Sequence, residues 1–422
     1  MRVMVRPRAL ASVLMSIAAL TLTAAPGGTP PSIDDLTWSP MLGSTGSALA
    51  NGAVWAVAVD GKDVYVGGAF TDFAGIPNAD RIARWNGESN AWEALAPTGA
   101  SDGPLNAGTV YSISVADGVV YAGGSFTVET DDGDCDRLAS YTLATSTWSG
   151  FGTCPGSQLI SNGAIYAVKV VPSGRLYVGG SFTDADGDAN DDYGIYGTYA
   201  GGLWTWSGLG DDGAGGPALS AFVSNFAPHP DGGVIVVGDF GTAGGVAGAN
   251  SVARFDDSLS PAWIAQDPDA VTYYGALKSG SDLFVSGWEH AYIRTSGNSW
   301  RRLCTVALVG GGSLTWGSMA VTSNDLLLVG GSGGLYACDT TDGGTATLVP
   351  DSGFVRALAS YRGATIVGSS STIDGGSDYI AILGELLPDT SRDGGAPTTT
   401  QFALALLAAL TALAGTRLLR RA

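Results

Sequence analysis

The chain has 422 residues, 64 of them glycine, and only 14% of them are charged, a composition that argues against a helical bundle and suits a repetitive all-β fold. Acids outnumber bases 39 to 20, for a formal net charge of −19. Such a surface repels phosphate backbones and anionic lipid, which excludes nucleic acid as a partner.

The amino end starts Met-Arg-Val-Met-Val-Arg-Pro-Arg, continues through an apolar run from Ala9 to Leu22, and reaches small residues at Ala24 and Ala25 before Pro26. A basic start, a short apolar middle and a small-residue exit predict a secretory signal over residues 1–25, cut near Ala24. Every acid lies between Asp34 and Asp393, whereas six bases sit in the two end segments. The exported body therefore carries 14 bases against 39 acids, a net charge of −25, and would attract cations or basic partners.

From residue 54 onward one pattern recurs. Alternating runs such as VWAVAV (54–59), VYSISV (110–115) and IYAVKV (165–170) have the period of a strand with one buried face. A Gly- or Asp-rich turn follows each, then a β-branched run closed by a small-residue pair whose first member is Gly67, Gly123, Gly179, Gly238, Ser286, Gly330 or Gly368. A third segment such as RIARWNG and a fourth such as AWEALA complete each unit. Four antiparallel strands repeated seven times predict a seven-bladed β-propeller over residues 34–387. The glycine pair is expected where a backbone must approach a neighbouring blade closely, and the Phe and Trp are expected between blades.

The last unit supplies three strands and stops before Pro388. Elsewhere the fourth strand reads Trp, two residues, then a large apolar group, as in Trp92 to Leu95 and Trp148 to Phe151, and an unclaimed copy lies at Trp38 to Met41. The N-terminal strand is therefore predicted to complete the last blade and hide its edge. The unit VYVGG-FT, IARWNG, W--L resembles the repeat of fungal cortical polarity markers and of kelch-like bacterial surface proteins. That resemblance implies a propeller and says little about activity.

Two features suggest chemistry. Cys135 and Cys154 flank a hairpin whose turn, at 144–146, lies midway between them, which sets them opposite each other and predicts a disulfide in an exported protein. Cys304 and Cys338 fall in the outer part of the fifth blade and the third strand of the sixth, where register leaves a bridge open. Asp184, Asp186, Asp188, Asn190 and Asp192 alternate through one loop and resemble the calcium loops of propellers such as integrin α subunits, although Ala189 replaces the usual Gly. The loop reads either as a calcium site or as a solvated acidic loop, and the cluster Asp131, Asp132, Asp134 and Asp136 is a weaker version.

Catalytic motifs are not found: the two histidines, His229 and His290, read as turn or surface residues, and nothing selects a carboxylate pair for glycoside cleavage. After a linker at 388–401, Phe402 to Leu419 predicts a single transmembrane helix, and the basic tail at 417–422 would stay cytoplasmic. Pro397-Thr398 followed by Phe402 and an Arg cluster resembles the C-terminal sorting domains of Gram-negative bacteria, nearest the IPTL-CTERM type. The resemblance implies an exported protein of the cell envelope or surface, membrane-anchored or released after processing. The expected function is non-enzymatic binding or scaffolding of a protein or glycan, with a calcium-dependent adhesion module and a polysaccharide hydrolase as alternatives.

Overall fold

The computed structural model of the protein describes residues 36–96, 105–128, 137–153, 157–260, 262–266, 272–296, 299–306, 318–323, 325–339, 344–373 and 378–387. Within them lie seven four-stranded antiparallel sheets arranged as the blades of a propeller. In chain order their innermost strands are Val54–Asp60, Val110–Ala116, Ile165–Val170, Val223–Pro228, Tyr273–Ser279, Ser318–Val321 and Val355–Tyr361. Two short ladders absent from the sequence reading, Leu105–Asn106 with Thr127–Val128 and Gly152–Thr153 with Ser157–Gln158, flank blade 2.

Blade 7 contains three consecutive strands and borrows its fourth from the front of the chain. Trp38–Pro40 pairs antiparallel with Ile380–Leu383, with Trp38 opposite Leu383 and Pro40 opposite Ala381. Proline is tolerated here because this strand is the outer edge of its sheet. The expected closure is therefore observed. The Asp378 carboxylate adds a second tie across the seam, accepting the Leu49 and Ala50 N–H groups at 2.9 and 3.2 Å.

Each sheet buries both faces, so the apolar core is divided by seam. Seven clusters occupy the described residues, one per pair of neighbouring blades, including Ile366 and Ile380 of blade 7 against Val54 and Val64 of blade 1. The glycine pair has two separate tasks. A Cβ on Gly67, Gly123 or Gly179 would lie 2.5 to 2.6 Å from the first β-branched side chain of the next blade: Val110, Ile165 or Val223. A Cβ on Gly68, Gly124 or Gly180 would instead strike a carbonyl oxygen of its own blade at 2.0 Å.

Register corrects one expectation. Gly238 pairs with Val223 as Gly68 pairs with Val54, so it holds the second place of its pair, and Val237 holds the first. Blade 5 starts with Tyr273, which is planar and packs against Val237.

The outer tryptophans work as staples. The Trp92 indole donates to the Leu42 carbonyl at 2.7 Å, Trp148 to Leu95 at 2.6 Å, Trp263 to Leu209 at 2.8 Å and Trp38 to Pro350 at 3.0 Å, each reaching the preceding blade. Cys304 and Cys338, left open by the sequence, form a disulfide between blades 5 and 6 with a Cα separation of 5.8 Å. The hairpin symmetry argument does not apply to them because they belong to different sheets. Cys135 and Cys154 lie outside the described residues, as do residues 1–25 and 388–422. Among the described residues, no helix is long and apolar enough to cross a membrane.

Candidate functional site

Six of the seven innermost strands carry the same irregularity. Their pairing with the second strand shifts between Val54 and Ala56, Val110 and Ser112, Ile165 and Ala167, Val223 and Asn225, Tyr273 and Gly275, and Val355 and Ala357. A bulge frees one residue from strand alternation and re-aims its side chain. The freed residues are Trp55, Tyr111, Tyr166, Ser224, Tyr274 and Arg356. Opposite each bulge sits the glycine pair or its counterpart, so the same local sequence that closes a seam also turns a side chain toward the axis.

These side chains form an aromatic collar at one mouth of the central cavity. Ring centroids are 5.3 Å apart from Trp55 to Tyr111, 5.8 Å from Tyr111 to Tyr166, 5.8 Å from Tyr166 to Phe222 and 6.5 Å from Phe222 to Tyr274. The Trp288 indole, 52% exposed, donates to the Tyr274 hydroxyl at 3.4 Å and extends the collar outward. At the other end the Arg356 guanidinium lies 4.5 Å over the Trp55 ring, and its Nε donates to Ser370 Oγ at 2.9 Å. All five collar rings from Trp55 to Tyr274 are half-buried, which leaves part of each face open to a ligand.

Below the collar lies a cavity of 380 Å³ lined by the innermost strands of all seven blades. That volume falls within the usual range for small-molecule sites, about 300 to 1,000 Å³. Serines quiet the backbone edges that the strands present to it: Ser112 and Ser114 accept the Val168 and Val170 N–H groups at 3.0 Å, and Ser224 donates to the Tyr274 carbonyl at 2.9 Å. Among the described residues the lining includes Lys169, Lys278 and Arg356 but no Asp or Glu. Burial holds the Lys169 ammonium below the usual lysine range and the Arg356 guanidinium below that of arginine.

The predicted calcium residues are brought into one loop, following the strand Leu176–Gly180 of blade 3. Its backbone copies the 71–80 loop of blade 1. Asp184 and Asp186 have φ of 55° and 53°, Asp72 and Ala74 have 48° and 56°, and Asp192 accepts the Asp184 N–H at 2.8 Å just as Asp80 accepts that of Asp72 at 2.8 Å. The blade 1 loop keeps this course with Phe73, Ala74 and Ile76, so Asp184 and Asp192 are fixed by turn geometry. Burial, reinforced by Asp188, Asp186 and Asp192, raises the Asp191 carboxyl to about 6. Among the described residues no group of three or more His, Cys, Asp or Glu side chains is arranged to hold a metal ion. The weaker cluster, Asp131 to Asp136, lies outside the described residues.

His229 is a buried turn residue. Its Nδ1 accepts the Asp231 N–H at 3.1 Å, and burial together with the Arg254 and Arg294 guanidiniums lowers its pKa to about 4. His290 opens the third strand of blade 5, with its ring 6.1 Å from that of Tyr292. The collar itself was missed in the sequence, although an aromatic stands second in each of VWAVAV, VYSISV and IYAVKV. Reading those runs as uninterrupted alternation hid the bulge.

No protein-family model matches the chain, and no curated protein matches it in sequence. Solved structures do match in fold. One is the extracellular domain of a hybrid two-component system of B. thetaiotaomicron, with a TM-score of 0.50 and 12% identity over 82% of this chain; the match spans 39% of that chain. Another is a catalytically inactive virginiamycin B lyase from Staphylococcus aureus with quinupristin, with a TM-score of 0.51 and 11% identity, covering 83% of this chain and 99% of that one. At these identities the likeness concerns the propeller fold alone.

Proposed function

We propose that the protein is an exported, non-enzymatic binding module of the cell envelope or surface whose recognition face is the aromatic collar, and that it takes a glycan or protein ligand there. The carrying observation is the bulge-borne series Trp55, Tyr111 and Tyr166 lining the mouth of the central cavity, continued through Phe222 to the bulge-borne Tyr274. Such rigid, amphipathic side chains give large contact area at low entropic cost. The extracellular-domain neighbour supports a surface role. The hydrolase alternative requires two carboxyl groups about 5 to 10 Å apart, and the cavity lining supplies none. Calorimetric titration with candidate ligands tests the proposal: Trp55→Ala and Tyr166→Ala should each weaken binding by about tenfold, roughly 1.4 kcal/mol. Tyr199→Ala, on the outer hairpin of blade 3 and 58% exposed, should leave it intact. Equal affinities for the collar variants and the parent protein would place the ligand elsewhere.

A second reading is a calcium ion drawn to the acidic loop Asp184 to Asp192; the side chains as they stand do not form a metal site, and the support is the crowding of Asp186, Asp188 and Asp192 around the part-buried Asp191, whose carboxyl is raised. A native pKa of about 6 against the ordinary 3.8 means that the folded loop binds its proton more tightly than the unfolded chain. Stability is therefore lost as pH rises from about 4 to about 6, by about 1 kcal/mol after allowing for solvent screening of this half-exposed group. A bound cation would restore it. Added calcium should raise the melting midpoint at pH 7, with chelator reversing the gain, and should do nothing at pH 4. A midpoint indifferent to calcium at pH 7 removes this reading.

A further inference from the structure

The cavity under the collar contradicts the charge of the molecule around it. The exported body holds 14 bases among 39 acids, yet among the described residues the lining draws three of those bases and none of the acids. None of the three forms an ion pair with a described carboxylate, whereas Arg84, Arg175, Arg254 and Arg294 all do. Lys278 is exposed, but Lys169 and Arg356 are half-buried, and burying a cation without a partner is costly. A site that bears this cost at more than one position is arranged for an anion that arrives from outside.

The cations are graded in depth. Arg356 stands in the collar, stacked on Trp55 and held by Ser370. Lys169 lies three residues below Tyr166 on the same strand, about 10 Å down at roughly 3.3 Å per residue. Lys278 follows at the far end of the blade 5 strand. A ligand reaching from Arg356 to Lys169 must therefore carry negative charge at repeated intervals and apolar ring faces that fit against Trp55, Tyr111 and Tyr166. Saccharides offer such faces through their axial C–H groups, and uronate sugars add one carboxylate per ring. Acidic peptides carry the charge but no regular apolar ring face.

We infer that the collar and cavity together bind the chain end of an acidic oligosaccharide, with the sugar rings on the aromatic collar and the carboxylates on Arg356 and Lys169. This rests on the collar being the recognition face. The acid-free lining also gives selection: the acidic outer surface repels polyanions, so only a ligand end that enters the mouth gains the attraction.

The test titrates the protein by calorimetry with tetragalacturonate and tetramannuronate, each against its methyl ester, which keeps the rings and removes the charge. At least one acid form should bind about tenfold more tightly than its ester, and that preference should fade as sodium chloride rises from 20 to 300 mM, about a fourfold fall in Debye length. Lys169→Met and Arg356→Gln should each erase most of the preference, read as the ratio of acid to ester affinity within each variant. Trp55→Ala should weaken acid and ester alike. Equal binding of acid and ester, or a preference that survives both charge variants, overturns the anion assignment while the collar reading stands. Affinities untouched by Trp55→Ala overturn the collar reading itself. Failure of both uronates to bind, or tetraglutamate binding as tightly as they do, overturns the assignment to an acidic sugar.

Discussion

His229 illustrates how a single buried group sets a pH response. Its native pKa of about 4 lies below the ordinary 6.5, so between these values the unfolded chain binds a proton that the folded chain refuses. Stability gained from this residue is present above pH 6.5 and is lost as pH falls toward 4. His229→Asn keeps an acceptor for the Asp231 N–H, since Asn makes the same two-residue turn contact, and removes the titration. Urea midpoints measured at pH 7.0, 5.5 and 4.5 should fall less steeply for the variant than for the parent; parallel curves would mean that another group drives the acid response.

At the scale of the element, the unit of construction is a seam between two sheets. At Gly123 blade 3 reaches into blade 2, with the Ile165 Cγ2 2.5 Å from the place a Cβ would take. Gly123→Ala should cost about 1 to 3 kcal/mol through overpacking, read as a lower thermal midpoint. Gly118→Ala is a poor control because its φ of 73° brings strain of its own. The strands, their order and the Phe and Trp packing were legible in the sequence because each follows from period-two alternation, turn residues and side-chain volume. The disulfide between Cys304 and Cys338 was not, because it crosses from one sheet to another and no local spacing encodes that distance. The collar was half legible: its aromatics were plain, but a bulge is a mismatch between two strands and cannot be seen in either alone. The cations in and beneath it were hidden because Arg356, Lys169 and Lys278 come from blades 7, 3 and 5 and meet only around the axis.

For the whole molecule, closure decides stability. Removing residues 36–42 takes away the Trp38–Pro40 strand, the Trp38 indole bond to Pro350 and the Leu42 carbonyl that Trp92 uses. Ile380–Leu383 then becomes a bare sheet edge. The truncated protein should melt at a lower temperature and aggregate on heating, as followed by light scattering; a soluble protein with an unchanged midpoint would show that the ring holds without its seam.

The seam also fixes an orientation. The strand Ile380–Leu383 starts opposite Gly368, at the collar end of blade 7, and finishes opposite Thr365, at the other end. There the Gly384 N–H meets the Thr37 carbonyl at 2.9 Å, and the Leu387 N–H reaches the Arg362 carbonyl at 2.7 Å in the hairpin below. The described residues thus begin and end on the underside of the disc. A tether joined at either of these places would start on the face opposite the aromatic rim.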